Sequence, residues 1–328
     1  MRSFTATSVL ALSIMAATGS ANASSGEHAD NSKYEHLVAP NGYNDGQSTA
    51  IFSDAQIAAR QALAHDYDAL LEHSEHDLEA GNYAAAAKNA KALLAVSEQR
   101  YGYLDQHTKK ALSLLGVTLQ ATGNFEAAKQ AFRRVVTIDR VTARAKPQER
   151  ANNLNNLANL LRAKGEYSEA EGILREVLKI DAEDSGDDRA THLNNLALVQ
   201  WGKGELPQAE ETLRKALAHD ERGVGAQHPD HAVRLSNLAS LLRQTGKLDE
   251  AEMLLQHAMK IDADSYGTHH PKYATRLNNM ALVLKDKGDL EGAKTLYSEA
   301  VLLLEESLGA DHPNSQATRS NLEKLLGE

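Results

Sequence analysis

Polar side chains recur at fixed distances from a series of glycines. Ten positions before Gly165, Gly204, Gly246 and Gly288 stand Asn155, Asn194, Ser236 and Asn278. Six before stand Asn159, Leu198, Ser240 and Leu282, and three before stand Arg162, Trp201, Arg243 and Lys285. Spacings of four and three place these side chains on one face of a helix. Amide groups both donate and accept, so they can pair with an extended peptide backbone of any sequence. A guanidinium can grip a carboxylate with two parallel bonds. None of the twelve positions holds Asp or Glu, although the chain carries a formal charge of -10. The chemistry this face could perform is recognition of a peptide or flexible protein segment, with acidic side chains favoured. The candidate contacts are Asn155, Asn159, Arg162, Asn194, Trp201, Ser236, Ser240, Arg243, Asn278 and Lys285. The adjacent Asn156, Asn195, Asn237, Asn279 and Asn321 are more regular than a partner-specific contact requires, which predicts a structural ladder to a neighbouring helix or loop.

Other chemistry is harder to support. His228-Pro229, His270-Pro271 and His312-Pro313 lie 42 residues apart. Proline suits the first position of a helix, and the residue before it suits a cap. Equivalent histidines in stacked repeats are roughly 10 Å apart, too far to share one ion, so no metal is expected. His73 and His76 could share a helix face, but no third ligand stands nearby, and both are expected to be solvated. Gly223-Val224-Gly225 continues as Ala-Gln-His and does not follow a strand pattern, so it is not a dinucleotide fingerprint. No phosphate-binding loop, Gly-x-Ser-x-Gly or His-Glu-x-x-His occurs. The chain has no Cys, which excludes thiol chemistry and disulfides. The scattered carboxylates read as solvated helix faces. No catalytic role and no cofactor are expected, and the acidic balance argues against a nucleic-acid partner.

The elements that must position the polar face follow from the same glycines. Gly81, Gly123, Gly165, Gly204, Gly246 and Gly288 are spaced by 42, 42, 39, 42 and 42 residues, each between two segments with a helical apolar period. Seven before each stand Ser74, Gly116, Ala158, Ala197, Ala239 and Ala281; five after stand Ala86, Ala128, Ala170, Ala209, Ala251 and Ala293. Twelve small residues at matching places let two antiparallel helices approach closely. Large apolar residues such as Leu154, Leu157, Leu161, Leu174, Val177 and Leu178 fill the rest of the inner side. After Pro313 only half a unit remains. Glu323 falls where earlier units need a small residue, so no second helix should pack there and Glu323 should be exposed on a solvating cap.

These small, Gly and Ala positions resemble the tetratricopeptide repeat. The 42-residue period, the Leu-Asn-Asn-Leu-Ala segments at Leu154 to Ala158 and Leu193 to Ala197, and the Gly-x-x-His-Pro loops are similar to the kinesin-light-chain-like subgroup. The resemblance implies an all-α, right-handed superhelical array of about six helical hairpins plus a C-terminal capping helix. It also implies a concave groove lined by the first helix of each hairpin, of a kind associated with acidic, often Trp-containing peptides. It weakens in the first two repeats, which lack the paired Asn; there Thr108 is read as standing where Pro would follow His107. The short third interval, with Asp181 to Asp188 in place of a His-Pro loop, is a place where the superhelical twist could change.

The N-terminal residues carry a different message. Arg2 precedes the apolar run Val9 to Ala17, and Ala21-Asn22-Ala23 is a small-x-small cleavage site. Residues 1–23 are expected to be a signal peptide, 24–52 a disordered leader and 53–328 the repeat domain, with Ser53-x-x-Gln56 a capping box at its first helix. That predicts a periplasmic or secreted product, exported across the inner membrane, without stable membrane insertion once the signal is removed. The functional expectation is a non-enzymatic protein-interaction module. Two alternatives accompany it: a self-assembling structural scaffold of the envelope, which would be a homo-oligomer, and an envelope carbohydrate-binding or catalytic protein.

Overall fold

The computed structural model describes residues 54–142, 146–183 and 188–327. The expected signal peptide, the leader and the Ser53 cap lie outside the described residues, as do residues 184–187 of the short interval. Among the described residues there are thirteen α-helices and no strand. They fall into two compact units. The first holds α1 (Asp54–Glu79), α2 (Tyr83–Tyr101), α3 (Gln106–Ala121) and α4 (Phe125–Thr142). The second holds α5 (Pro147–Ala163), α6 (Tyr167–Glu183), α7 (Arg189–Gly202), α8 (Leu206–Arg222), α9 (Pro229–Gln244), α10 (Leu248–Tyr266), α11 (Pro271–Lys287), α12 (Leu290–Leu308) and α13 (Pro313–Leu326).

Helices pair consecutively into hairpins, α1/α2 and α3/α4 in the first unit and α5/α6, α7/α8, α9/α10 and α11/α12 in the second, with α13 packed on α12. Each hairpin turns on one of the six spaced glycines, all at positive φ between 76° and 88°. At Gly165 the need for it is clear. Glu166 N–H reaches back to the Leu161 carbonyl at 2.9 Å, and Gly165 N–H reaches that of Arg162 at 3.0 Å. This closing motif requires a left-handed residue between helix and exit. The twelve small positions are buried in every hairpin. At Gly116 a Cβ would lie 2.7 Å from the Phe132 ring, so the smallest residue of the series faces one of the largest buried ones.

The His-Pro pairs start helices. His228, His270 and His312 are the N-cap residues of α9, α11 and α13, with Pro next; each Nδ1 accepts the backbone N–H two residues on at 3.2 Å. In the first unit the register reading needs correction. The cap of α3 is Asp105, whose carboxylate accepts from His107 N–H at 2.8 Å, and Gln106 takes the proline position. Thr108 lies inside the helix, buried, donating its hydroxyl to the Gly102 carbonyl at 2.7 Å.

The short interval shortens a helix. α7 has 14 residues and begins at Arg189 without a proline. Asp188 is tied back to α5, accepting from Gln148 Nε2 at 2.7 Å and Asn152 Nδ2 at 3.3 Å, while Arg189 donates to the Leu178 carbonyl at 3.0 Å. At the other end Glu323 is exposed, as the cap reading requires, and Leu325 seals α13 against the core.

Candidate functional site

In the second unit the first helices of neighbouring hairpins touch directly, α5 on α7 and α9 on α11, whereas the second helices make no comparable contact with one another. The first-helix face is therefore the tighter, inner side, and the polar rows lie on it. Asn195 Nδ2 donates to Asn155 Oδ1 at 2.8 Å, Asn237 to Asn194 at 2.8 Å, Asn279 to Ser236 Oγ at 2.9 Å and Asn321 to Asn278 at 3.0 Å. In the first three, the residue nine before one turn glycine reaches the residue ten before the preceding one, and Asn321 takes the equivalent place in α13. Asn194 and Asn278 also donate to their own neighbours, Asn195 and Asn279, at 3.4 and 3.2 Å.

The two rows that the sequence analysis kept apart are thus partners. Asn195, Asn237, Asn279 and Asn321 form the ladder, and Asn155, Asn194, Ser236 and Asn278 are its acceptors. The latter four, expected to face a ligand, thus also have a structural role, since their oxygens hold the first helices in register. Asn155, Asn194 and Ser236 are also buried, at 9%, 9% and 2% exposure. A ladder suits this place because an unpaired amide at a helix contact would cost about 1–3 kcal/mol.

The remaining candidates, Asn159, Arg162, Trp201, Ser240, Arg243 and Lys285, are half-buried on the same face. Two make a second, outer rung. Trp201 Nε1 donates to Gln244 at 2.5 Å, and Arg243 pairs with Asp286 at 2.7 Å. Ser240 donates to the Ser236 carbonyl. Arg162 differs: its Nε is buried and meets no acceptor, and burial lowers its affinity for the proton. The guanidinium as a whole is half-buried, and its terminal N–H groups have the geometry to meet a carboxylate.

Two further periodic features escaped the sequence reading. Asp181, Asp220 and Asp262, each sixteen after its turn glycine, are buried and pair with the next hairpin. Asp181 meets His192 at 2.9 Å, Asp220 meets Arg234 at 3.1 Å and His231 at 3.2 Å, and Asp262 meets Arg276 at 3.0 Å. Asp262 Oδ1 has no partner, and burial pushes this carboxyl above its ordinary range. On the second helices, Glu171, Glu210 and Glu252 stand six after their glycines. Each accepts a lysine from the next hairpin's turn: Lys203 at 2.6 Å, Lys247 at 2.8 Å and Lys287 at 2.7 Å. The hydrogen bond from Lys203 holds Glu171 below the usual carboxylate range, and that from Lys247 does the same to Glu210. The signal was present in the sequence as Glu and Lys at fixed distances from successive glycines, but only the fold shows that they meet.

Comparison with known proteins agrees with this architecture. Family profiles described as tetratricopeptide repeat match residues 110–142, 149–222, 230–293 and 274–314. No match was found among curated proteins. Similar solved structures include BtubC (BKLC) from P. vanneervenii, with 22% identity, a TM-score of 0.55 and coverage of 77% of this chain and 94% of that one. The nearly identical TPR-like repeats of a Podosopora anserina kinesin light chain candidate share 22% identity at a TM-score of 0.51, covering 61% and 96%. The Rap conjugation gene regulator of plasmid pLS20, in complex with the Phr* peptide, shares 14% identity at a TM-score of 0.56, covering 87% and 81%. These likenesses extend to the fold. With profile matches in both units and hairpins built on the same glycine and alanine positions, the chain belongs to the tetratricopeptide-repeat proteins.

Proposed function

We propose that the chain is a non-enzymatic protein-interaction module whose second unit takes up an extended peptide or flexible segment along the first-helix face, with acidic side chains preferred. The single observation that carries this reading is the row of half-buried cations Arg162, Arg243 and Lys285 on a first-helix face laddered by amides. The ladder fixes the wall, so a segment lying on it meets a pre-organised surface and less binding energy is lost to ordering. Trp201 supplies an aromatic surface beside the cations. A similar fold, the pLS20 regulator, is described with a peptide bound, which makes peptide capture a reasonable use of this architecture. The test is an array of acidic, neutral and basic peptides probed with the wild-type chain and with the triple variant Arg162→Glu, Arg243→Glu, Lys285→Glu. Acidic peptides should dominate for the wild type and be lost from the variant; an unchanged binding pattern would contradict the proposal.

We also propose export to the periplasm or beyond. The support is Arg2, the apolar run Val9 to Ala17 and the small-x-small site Ala21-Asn22-Ala23. Among the described residues no helix is long and apolar enough to cross a membrane. Intact mass of the product from its native cell should show a chain beginning at Ser24; a retained Met1 start would reject export by this signal.

A further inference from the structure

Four positions before the turn glycine, the flanking hairpins carry Leu161 and Leu242, both fully buried. The α7/α8 hairpin carries Gln200 there instead, at 7% exposure, with Oε1 buried and no described residue donating to it. The side chain borders a notch of about 500 Å³ between α6 and the α7–α8 turn, lined also by Ser168, Gly172, Arg175, Lys203 and Glu205. The notch owes its opening to Gly172. Seven after the turn glycine, the later hairpins carry Glu211, Met253 and Thr295. A Cβ at Gly172 would meet nothing within 4 Å. Two departures from the repeat, one on each of two adjacent hairpins, therefore face the same space. Neither helps packing: glycine weakens a helix interior, and an unpaired buried carbonyl opposes folding.

The lining defines the ligand. Gln200 Oε1 needs an N–H or O–H donor. Arg175 is 66% exposed at the rim and gives Nε and Nη2 to Glu171 at 3.1 and 2.6 Å, which leaves Nη1 for an anion. Lys203 is held by Glu171 and Glu205, both at 2.6 Å, so the two acids and two bases of the lining balance and the contact left for an anion is Arg175 Nη1. No aromatic side chain lines the notch, so the stacking platform a sugar would use is missing. A buried acceptor with a cation at the rim matches a terminal peptide unit, whose N–H points inward while its carboxylate stays at the mouth.

We propose that the notch between α6 and the α7–α8 turn binds the carboxy-terminal residue of a peptide, its N–H donating to Gln200 and its carboxylate meeting Arg175. The site shares no residue with the amide ladder or the candidate contacts of the inner face and is independent of that reading. The probe is N-acetyl-Ala-Ala with a free carboxylate, titrated into the full isotope-labelled chain and followed by the NMR signals of Gly172 and the Gln200 side chain. Both signals should shift saturably, and the peptide amide should bind at least about tenfold more weakly. Gly172→Leu, which fills the open space, and Gln200→Leu, which restores the core residue, should each abolish the shift without lowering Tm. The proposal is overturned if millimolar acid moves neither signal, if the amide binds equally well, or if a folded Gly172→Leu chain still binds. Trp201 emission on the inner face should not respond to this probe, so the two sites can fail separately.

Discussion

The two units solve the same stacking problem with different chemistry. The first joins its hairpins through an aromatic cluster. Tyr101 stacks on His107 at 3.9 Å, and Tyr67 meets both edge-on, its hydroxyl pushed up to about 12 mainly by burial. The places of the amide ladder are taken in α3 by Ser113 and Leu114, and Ser113 bonds to its own helix at the Lys109 carbonyl. The second unit joins its hairpins on three levels: amides on the inner face, buried aspartates at the base and lysine–glutamate straps at the second helices. Ion pairs cross between hairpins in both units, at Arg134–Glu98 and Lys110–Glu75 in the first, so the contrast lies between an aromatic cluster and an amide ladder on the same backbone step. Only the second unit carries the amide ladder along its first helices, and for that reason the proposed binding face lies there.

The largest break in this comparison should come from the buried acids. Asp262→Ala would strand Arg276 in the core and destabilise the second unit by about 3–5 kcal/mol, while amide exchange in α1 to α4 stays as in the wild type. Replacing both partners by leucine should recover most of that loss. In the first unit the equivalent weak point is steric. Gly116→Ala would drive a methyl into the Phe132 ring and cost about 1–3 kcal/mol, and Phe132→Leu in the same chain should relieve it. Thermal or denaturant unfolding measures both.

A smaller effect separates ladder from non-ladder positions. Asn237→Ala leaves Asn194 Oδ1 without its donor and should cost about 1–2 kcal/mol, whereas Ser113→Ala, at the place of the acceptor row in α3, should change stability by less than about 0.5 kcal/mol. The smallest effect concerns the caps. Burial, and then the charge of Lys272, holds the His270 imidazole below its ordinary value, and Nδ1 serves as an acceptor. The folded chain thus binds this proton less readily than the unfolded chain. Its contribution to stability is complete above the unfolded value of about 6.5 and is lost as pH falls through the folded one. The first unit uses Asp105 at the equivalent cap. His270→Asn keeps an acceptor that does not titrate, so the fall in Tm between neutral and mildly acidic buffer should shrink.

Much of the architecture was legible because it depends on steric rules that repeat. A turn that needs positive φ selects glycine at every period, and a close helix contact selects Ser, Gly or Ala. Glu323 could be placed on the surface by the same reasoning. The register at Thr108 was misread because His107 resembles the later His-Pro loops, while the position that matters, the cap, is filled by Asp105. The site was only partly legible. Spacing puts Asn155 and Asn194 on one face, but it does not tell whether their oxygens meet a ligand or the next helix. That depends on how far apart two first helices lie. Gln200 and Gly172 were invisible for a related reason. They are exceptions to the repeat, and they gain meaning only when the fold brings them together.

The chain has one tryptophan, Trp201, and it stands on the inner face of the second unit. The most direct test is therefore its emission during titration of the full chain with an acidic extended peptide whose carboxy-terminus is amidated, so that the notch beside α6 is not engaged. The account predicts a saturable change that disappears in the Arg162→Glu, Arg243→Glu, Lys285→Glu chain and is absent with a basic peptide. An acidic peptide that binds while Trp201 emission stays constant, or that binds the charge-reversed chain equally well, would contradict it.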